Sequence, residues 1–140
     1  MDGRPTGAAL EELLRRKGLR VTGPRVAVLQ FLAASPHHPT AEDVGAAVNR
    51  LVPTASRASI YNVLRSLRTA GLIDEIVLDD AVTRYDANLE PHHHFVCESC
   101  GRVEDVPWES FPQLPKRRLP AGQRVEGYTL TLRGTCADCR

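Results

Sequence analysis

The sequence predicts an α+β fold in which an N-terminal winged helix-turn-helix domain is followed by a small C-terminal α/β domain. Amphipathic helical patterns fill the first half of the chain, whereas all four cysteines lie in the second half. Alternating apolar residues around those cysteines are typical of short strands. We place the boundary between the domains after Asp86, so that they span residues 1–86 and 87–140.

Four helices are predicted in the first domain, because apolar residues recur at helical spacing behind hydroxyl side chains that can cap a helix. The predicted caps are Thr6, Thr22, Thr40 and Ser56. Gly18 and Gly71 are predicted to end the first and the last helix. Asp43 lies at the capping-box distance from Thr40, and the buried stripe of this third helix is predicted to reach Leu51.

The fourth helix is predicted to carry one apolar face and one polar, basic face. The residues of the polar face are Arg57, Ser59, Tyr61, Asn62 and Arg65. All of them can contact phosphates or base edges, and a short helix with such a face after a tight turn is typical of a helix-turn-helix. The same pattern also describes the solvated faces of a plain helical core, so this alternative stays open.

A two-stranded hairpin is predicted after the fourth helix, with strands Leu72–Leu78 and Val82–Tyr85 around a turn at Asp79–Asp80. A hairpin in this place makes the helix-turn-helix winged. The formal net charge of the chain is only +1, but basic residues crowd into its first half, where they can face the phosphates of DNA. Solvated helix faces are the alternative explanation for these charges.

The second domain is predicted to hold a small sheet. Its strands are predicted at His94–Val96, Arg102–Val106 and Arg124–Leu132. The proline-rich stretch Trp108–Pro120 leaves room only for a short helix. Because a small sheet has open edges and an apolar face, we expect a symmetric homodimer to cover it.

The four cysteines form two C-x2-C pairs. They are Cys97, Cys100, Cys136 and Cys139. Four thiolates in two such pairs fit a closed tetrahedral zinc site with a structural role. The first residues of the sequence resemble neither a signal peptide nor a membrane-spanning stretch, so we expect a cytoplasmic protein without a membrane partner. The alternative to a zinc site is that the four cysteines form two disulfides, which the reducing cytoplasm disfavours.

Three consecutive histidines precede the first C-x2-C pair. Because side chains alternate along a strand, His92 and His94 are predicted to face one way and His93 the other. His92 and His94 would then form a two-residue clamp for a metal ion. A solvated loop is the alternative for this run.

The order of these motifs resembles the ferric uptake regulator (Fur) family across almost the whole chain. The motifs are LRVTGPR, HPTAEDV, SIYNVLRSLRTAGL, RYD, HHHFVCESCG and the second C-x2-C pair. The resemblance implies a metal-dependent dimeric repressor, in which a winged-helix domain that binds operator DNA is joined to an α/β dimerisation domain. It implies regulation of transcription, and therefore no enzymatic activity.

The resemblance also implies a regulatory metal site with ligands from both domains. These ligands are His38, Asp86, His92, His94 and Asp105. Glu104 is the alternative to its neighbour Asp105. Imidazole and carboxylate ligands suit borderline metals, so we expect Fe²⁺ or Mn²⁺, with Zn²⁺ also compatible.

The same resemblance assigns residues to DNA contacts. Tyr61 matches the family's recognition-helix tyrosine, with Arg57 and Asn62 as its neighbours at base edges. Arg20 matches a basic residue that reaches into a minor groove. Base contacts of this kind specify the sequence, whereas phosphate contacts position the protein.

Aspartate at both position 86 and position 105 resembles the peroxide-sensing (PerR) branch, because iron-uptake members typically carry glutamate there. In that branch, bound Fe²⁺ reacts with hydrogen peroxide and a ligand histidine is oxidised, here His38 or His92. An iron- or zinc-uptake regulator that responds to metal supply is one alternative. A metallohydrolase that uses the His/Asp residues and a zinc-stabilised dimerisation module without DNA binding are the others.

Overall fold

The computed structural model describes residues 3–35, 38–53, 55–78, 81–111 and 119–140. Its fold is α+β, as predicted. The chain divides into two compact units, Met1–Leu89 and Glu90–Arg140, which we call the first and the second unit. Within the described ranges, no helix combines the length and the apolar character that crossing a bilayer requires.

Four helices are found among the described residues of the first unit. They are α1 (Gly7–Arg16), α2 (Gly23–Ala34), α3 (Ala41–Asn49) and α4 (Arg57–Thr69). Each begins directly after its predicted cap, whose hydroxyl accepts a hydrogen bond from the backbone N–H three residues further on. Thr40 and Asp43 complete the predicted capping box. Gly18 and Gly71 end α1 and α4 with φ of 73° and 74°, a left-handed conformation that favours glycine.

The apolar faces of these helices pack into one buried core. Its fully buried members include Leu14, Val28, Val44, Val48 and Leu67. Burying a side chain of this size contributes about 1.5 to 3 kcal/mol relative to exposure. The prediction for Leu51 is wrong, since its side chain is 70% exposed. The reason is that α3 ends at Asn49, before the apolar stripe reaches Leu51.

A two-stranded antiparallel sheet follows α4. It consists of β1 (Asp74–Val77) and β2 (Thr83–Asp86), which confirms the predicted hairpin. The strand β1 begins later than predicted, because Leu72 and Ile73 are buried in the helical core instead. The predicted turn at Asp79–Asp80 lies outside the described residues.

The segment that precedes α3 is joined to β2 by backbone contacts. The Tyr85 N–H donates to the Pro39 carbonyl oxygen at 3.0 Å, and Thr40 forms an isolated antiparallel bridge with Arg84. Tyr85 itself is buried in the helical core. These contacts carry His38 alongside the end of β2.

The second unit contains a three-stranded sheet. Its strands are β3 (His92–Cys97), β4 (Val103–Pro107) and β5 (Thr131–Gly134), in the order β4-β3-β5. The strand β3 pairs antiparallel with β4 and parallel with β5. Because β5 runs parallel to β3, the cysteine pair that follows β5 lies beside the pair that begins with the last residue of β3.

The third strand of this sheet differs from its prediction. The strand predicted over Arg124–Leu132 is wrong for most of its length, because β5 begins only at Thr131. The residues just before β5 are held by other contacts. The His94 N–H donates to the Leu130 carbonyl oxygen at 3.1 Å, and the ring of Tyr128 lies 5.0 Å from the ring of Trp108. In the stretch where a short helix is predicted, Trp108–Ser110 forms one turn of 3-10 helix, and residues 112–118 lie outside the described residues.

Candidate metal centres and nucleic-acid interface

The four cysteines converge in the second unit. Their sulfur atoms all lie within 4.8 Å of one another, and the Sγ atoms of Cys100 and Cys136 are 3.8 Å apart. All four are free thiols, so the structure does not contain the alternative disulfides. A tight turn with Gly101 at φ 74° lets the first pair fold back, and the Gly101 N–H donates to the Cys97 carbonyl at 2.8 Å.

The pKa values of Cys97 and Cys139 are shifted in opposite directions. Backbone N–H groups of Cys136 and Cys100 donate to the sulfur of Cys97 and lower its pKa to about 6. The side chains of Cys136 and Cys100 have the opposite effect on Cys139, whose pKa they raise to about 12. The surroundings therefore favour a thiolate at Cys97 and disfavour one at Cys139. A divalent cation fits the site, because its charge stabilises every thiolate at once.

An ion pair joins the two cysteine segments. Arg102, which follows the first pair, donates from Nη1 to Oδ2 of Asp138 at 2.7 Å, and Asp138 lies inside the second pair. Glu104 also lies 3.6 Å from Nη1 of Arg102. Sequence inspection missed this contact, since the residues are 36 positions apart. The contact holds the two halves of the cysteine cluster together from the outside.

The three histidines occupy both faces of β3, as predicted. The rings of His92 and His94 lie together with centroids 4.7 Å apart. Asp105, which is opposite His94 in the sheet register, places Oδ1 3.3 Å from Nε2 of His92 and 3.9 Å from Nε2 of His94. Glu104 instead pairs with Phe95 in the register. A His/Asp cluster therefore lies on this face of the second unit.

The tautomer of His92 is set by its backbone partner. Its Nδ1 lies 2.6 Å from the carbonyl oxygen of Glu90, which can only accept a hydrogen bond, so Nδ1 carries a proton. In the neutral ring, Nε2 then directs a lone pair toward the carboxylate of Asp105. Two electron-rich atoms at this distance are stabilised by a cation between them. The donor chemistry of the cluster therefore fits a metal ion.

His93 lies on the opposite face, where it is buried with 1% exposure. Its ring stacks on Trp108 with centroids 4.5 Å apart at 22°, and Tyr128 and Phe111 complete an aromatic cluster. The Nδ1 atom accepts a hydrogen bond from the backbone N–H of Leu130 at 3.0 Å. His93 therefore packs the second unit, and its role is separate from that of its two neighbours.

In the first unit, His38 lies beside Asp86. The Nε2 atom of His38 is 2.9 Å from Oδ2 of Asp86. The other carboxylate oxygen accepts a hydrogen bond from the backbone N–H of Asn88 at 2.8 Å, which fixes the orientation of the carboxylate. The structure thus brings together the two predicted ligands of this unit, just as it groups the three predicted ligands of the second unit.

The predicted DNA-contact residues lie on the outer face of the first unit. Arg57, Tyr61, Asn62 and Arg65 are exposed on α4, Ser59 is half-buried, and Arg20 is exposed before α2. The carbonyl of Arg20 accepts a hydrogen bond from Nη1 of Arg25 at 2.7 Å, so its backbone is anchored. Glu42 on α3, which sequence inspection also missed, contacts both Arg57 and Tyr61.

The first unit is a winged helix with a basic, tyrosine-bearing face. The second unit groups four thiols and, separately, a His/Asp cluster. Together these features define the class of metal-responsive winged-helix regulators. The chain belongs to the ferric uptake regulator family, whose family model matches residues 16–133. This membership confirms the resemblance that the motifs carry.

Individual relatives agree with the family model. The chain is 34% identical over 129 residues to the peroxide operon regulator of Bacillus subtilis (strain 168), a match that covers 91% of this chain and 89% of that protein. It is 36% identical over 132 residues to the peroxide-responsive repressor PerR of Staphylococcus saprophyticus, which covers 91% of this chain and 86% of that protein.

Solved structures show the same fold. The peroxide stress regulator of Campylobacter jejuni superposes with a TM-score of 0.68 at 27% identity, over 93% of this chain and 98% of that chain. The ferric uptake regulator of Francisella tularensis with iron gives a TM-score of 0.72 at 27% identity, over 87% of this chain and 95% of that chain. The predicted winged-helix and α/β architecture is therefore confirmed.

Proposed function

We propose that this protein is a dimeric, metal-dependent transcriptional repressor that binds operator DNA and releases it in response to peroxide. The observation that carries this proposal is that aspartate is paired with histidine in both units. The groups are His38 with Asp86, and His92 and His94 with Asp105. Relatives named as peroxide-responsive repressors support the same assignment.

Two metal ions are assigned in this proposal. Zn²⁺ at the four cysteines would be structural, because a closed thiolate site leaves no open coordination position. A regulatory ion would be held jointly by the five histidine and aspartate ligands. Their nitrogen and oxygen atoms favour Fe²⁺ or Mn²⁺, and Zn²⁺ is also compatible.

The proposed mechanism is a population shift. By binding one ion together, the ligands of residues 1–86 and those of residues 87–140 would favour one arrangement of the DNA-binding and dimerisation domains. In that arrangement the two α4 helices of a homodimer would fit successive major grooves. The two binding events would be thermodynamically linked. The ion would raise the affinity for operator DNA, and operator DNA would raise the affinity for the ion by the same factor.

The response to peroxide would act on the same ligands. Fe²⁺ held by these residues would supply the redox chemistry that cleaves the O–O bond of hydrogen peroxide. Overall, one peroxide oxygen would be added to the imidazole of His38 or His92, and the other would leave as water. An oxidised imidazole binds the ion poorly, so the preferred arrangement would be lost. The proposed role is regulatory rather than enzymatic, and it would be carried out beside DNA in the cytoplasm.

The residues of α4 are assigned to the operator. Arg57, Tyr61 and Asn62 would reach base edges, where they specify the sequence. Ser59 and Arg65 would contact phosphates, and Arg20 would reach the adjacent minor groove. The exposure of Arg57, Tyr61, Asn62 and Arg65 on one helix supports this assignment.

The decisive experiment is peptide-resolved mass spectrometry of the iron-loaded protein after treatment with hydrogen peroxide. We expect one added oxygen atom on His38 or His92, and none on His93, which faces the other side of β3. The matched control is the manganese-loaded protein, in which no histidine should gain oxygen. Oxidation of no histidine in the iron-loaded protein would instead favour a regulator that responds to metal supply.

A variant tests the metal response itself. The substitution His92→Ala removes a proposed ligand of the regulatory ion and leaves the four cysteines in place. We expect this variant to keep its zinc and to lose metal-dependent binding of operator DNA in a gel-shift titration. If the variant still responded to metal, the sensor assignment would be wrong.

A further inference from the structure

Glu42 contacts two of the residues that are assigned to DNA. Its Oε1 atom accepts a hydrogen bond from Nη2 of Arg57 at 3.1 Å and another from the hydroxyl of Tyr61 at 3.3 Å. The guanidinium of Arg57 also lies over the ring of Tyr61, 5.9 Å from its centroid. One carboxylate on α3 therefore gathers the basic and the aromatic side chain at the start of α4.

This cluster contributes little to the stability of the fold. The side chain of Glu42 is 63% exposed and that of Arg57 is 79% exposed. Ion pairs at such exposed positions are screened by water and salt and contribute little. The arrangement is thus better explained by what it does to the binding surface.

A carboxylate and a phosphate compete for the same donors. Both offer anionic oxygen atoms to a guanidinium, and Glu42 already holds Arg57 at hydrogen-bond distance. On random DNA, a phosphate that reaches Arg57 would only replace one anionic acceptor with another, so this exchange would add little to the affinity. At the operator, the paired acceptors of a base edge would give Arg57 a further, sequence-dependent contact that offsets the loss of Glu42.

We propose that Glu42 is a specificity-determining residue. Its carboxylate competes with DNA phosphates for Arg57 and Tyr61, and it is displaced only when these side chains bind the base edges of the operator. This inference rests on the proposed DNA-binding function. Glu42 thereby lowers the affinity for random DNA more than the affinity for the operator, because non-specific binding depends almost entirely on phosphate contacts.

The test compares Glu42→Gln with the wild-type protein. Both are loaded with Mn²⁺, and fluorescence anisotropy measures binding to two duplexes between about 50 and 200 mM salt, the range over which phosphate contacts are lost. One duplex is selected from a random library by the wild-type protein, and the other is its scrambled version. The control is Glu12→Gln, which removes the same charge from a similarly exposed side chain on α1.

For the scrambled duplex, Glu42→Gln should add one phosphate contact and steepen the slope of log K against log salt by about 0.9. Over this fourfold range of salt, that slope corresponds to an extra loss of affinity of about threefold. Non-specific affinity at the low-salt end should rise several-fold, and the ratio of selected to scrambled affinity should fall. Glu12→Gln should change neither the slope nor the ratio.

The outcomes separate two possible failures. If the manganese-loaded wild-type protein enriches no duplex from the random library, the proposed DNA-binding function itself fails. If the wild-type protein binds the selected duplex but Glu42→Gln behaves like Glu12→Gln, only the role of Glu42 is refuted. Glu42→Asp is the second variant, since it keeps the charge on a shorter side chain and should stay closer to the wild-type slope.

Discussion

His93 and His92 are neighbours on β3, yet the same substitution should affect two different properties. At His93 it should lower the stability of the second unit, and at His92 it should abolish the metal response. Replacing His93 with phenylalanine keeps an aromatic ring against Trp108 but removes the acceptor for the Leu130 N–H. Leaving a buried donor without an acceptor costs about 1 to 3 kcal/mol. The Leu130 bond is only partly buried, so we expect a loss of about 1 to 2 kcal/mol in the free energy of unfolding of the second unit.

Urea unfolding of the full, zinc-loaded chain measures this loss. Trp108 is the single tryptophan of the sequence and lies against His93, so its fluorescence reports on the second unit. With a denaturant slope of about 1 kcal/mol per M, the lower end for small proteins, the midpoint should fall by about 1 to 2 M. Metal-dependent DNA binding should persist under native conditions, since His93 faces away from the proposed metal ligands His92 and His94.

His92→Phe is the matched control. The Nδ1 contact of His92 is local, to Glu90 two residues earlier, so its loss should leave the urea midpoint nearly unchanged when the regulatory ion is absent. The metal response of this variant should disappear. The separation of roles along β3 would be refuted if His93→Phe left the midpoint unchanged, or if it abolished the metal response as His92→Phe does.

Two further predictions concern the cysteine cluster. Arg102→Ala should make zinc extraction by a chelator several-fold faster, because the ion pair with Asp138 is lost. The control is Arg124→Ala, which removes an arginine that is 89% exposed and should have no effect. Equal extraction rates in the two variants would contradict the role of Arg102. The affinity of the metal-free protein for zinc should also fall more steeply with pH below about 6, because the pKa of Cys97 is lowered to about 6 and zinc must then displace one more proton. The same slope of log affinity against pH above and below pH 6 would contradict this assignment.

The local features of the fold were predictable because they depend on short stretches of sequence. Helix caps require only a hydroxyl and a backbone N–H three residues later, and Thr6 and Ser56 supply them. Strand alternation likewise separates His93 from His92 and His94 without any tertiary information. The paired spacing of the cysteines made their convergence predictable as well.

The features that sequence inspection missed depend on contacts between distant segments. Glu42 meets Tyr61 only because α3 and α4 pack against each other, and the two residues are 19 positions apart. The strand predicted across Tyr128 fails for a related reason. Its alternating pattern satisfies the rule for a strand, but Tyr128 packs into the aromatic cluster around His93, and strand pairing begins only at Thr131.

The parallel pairing of β3 with β5 has a consequence for the order of events during synthesis. When β3 and β4 leave the ribosome, they bring only Cys97 and Cys100, which is half of the thiolate set, and one edge of β3 is still open. The residues that close this edge and those that complete the thiolate set arrive together, from Thr131 to Cys139. Capture of zinc and closure of the sheet should therefore be closely linked steps of maturation, and a nascent chain that has not reached Thr131 should expose the unpaired edge of β3.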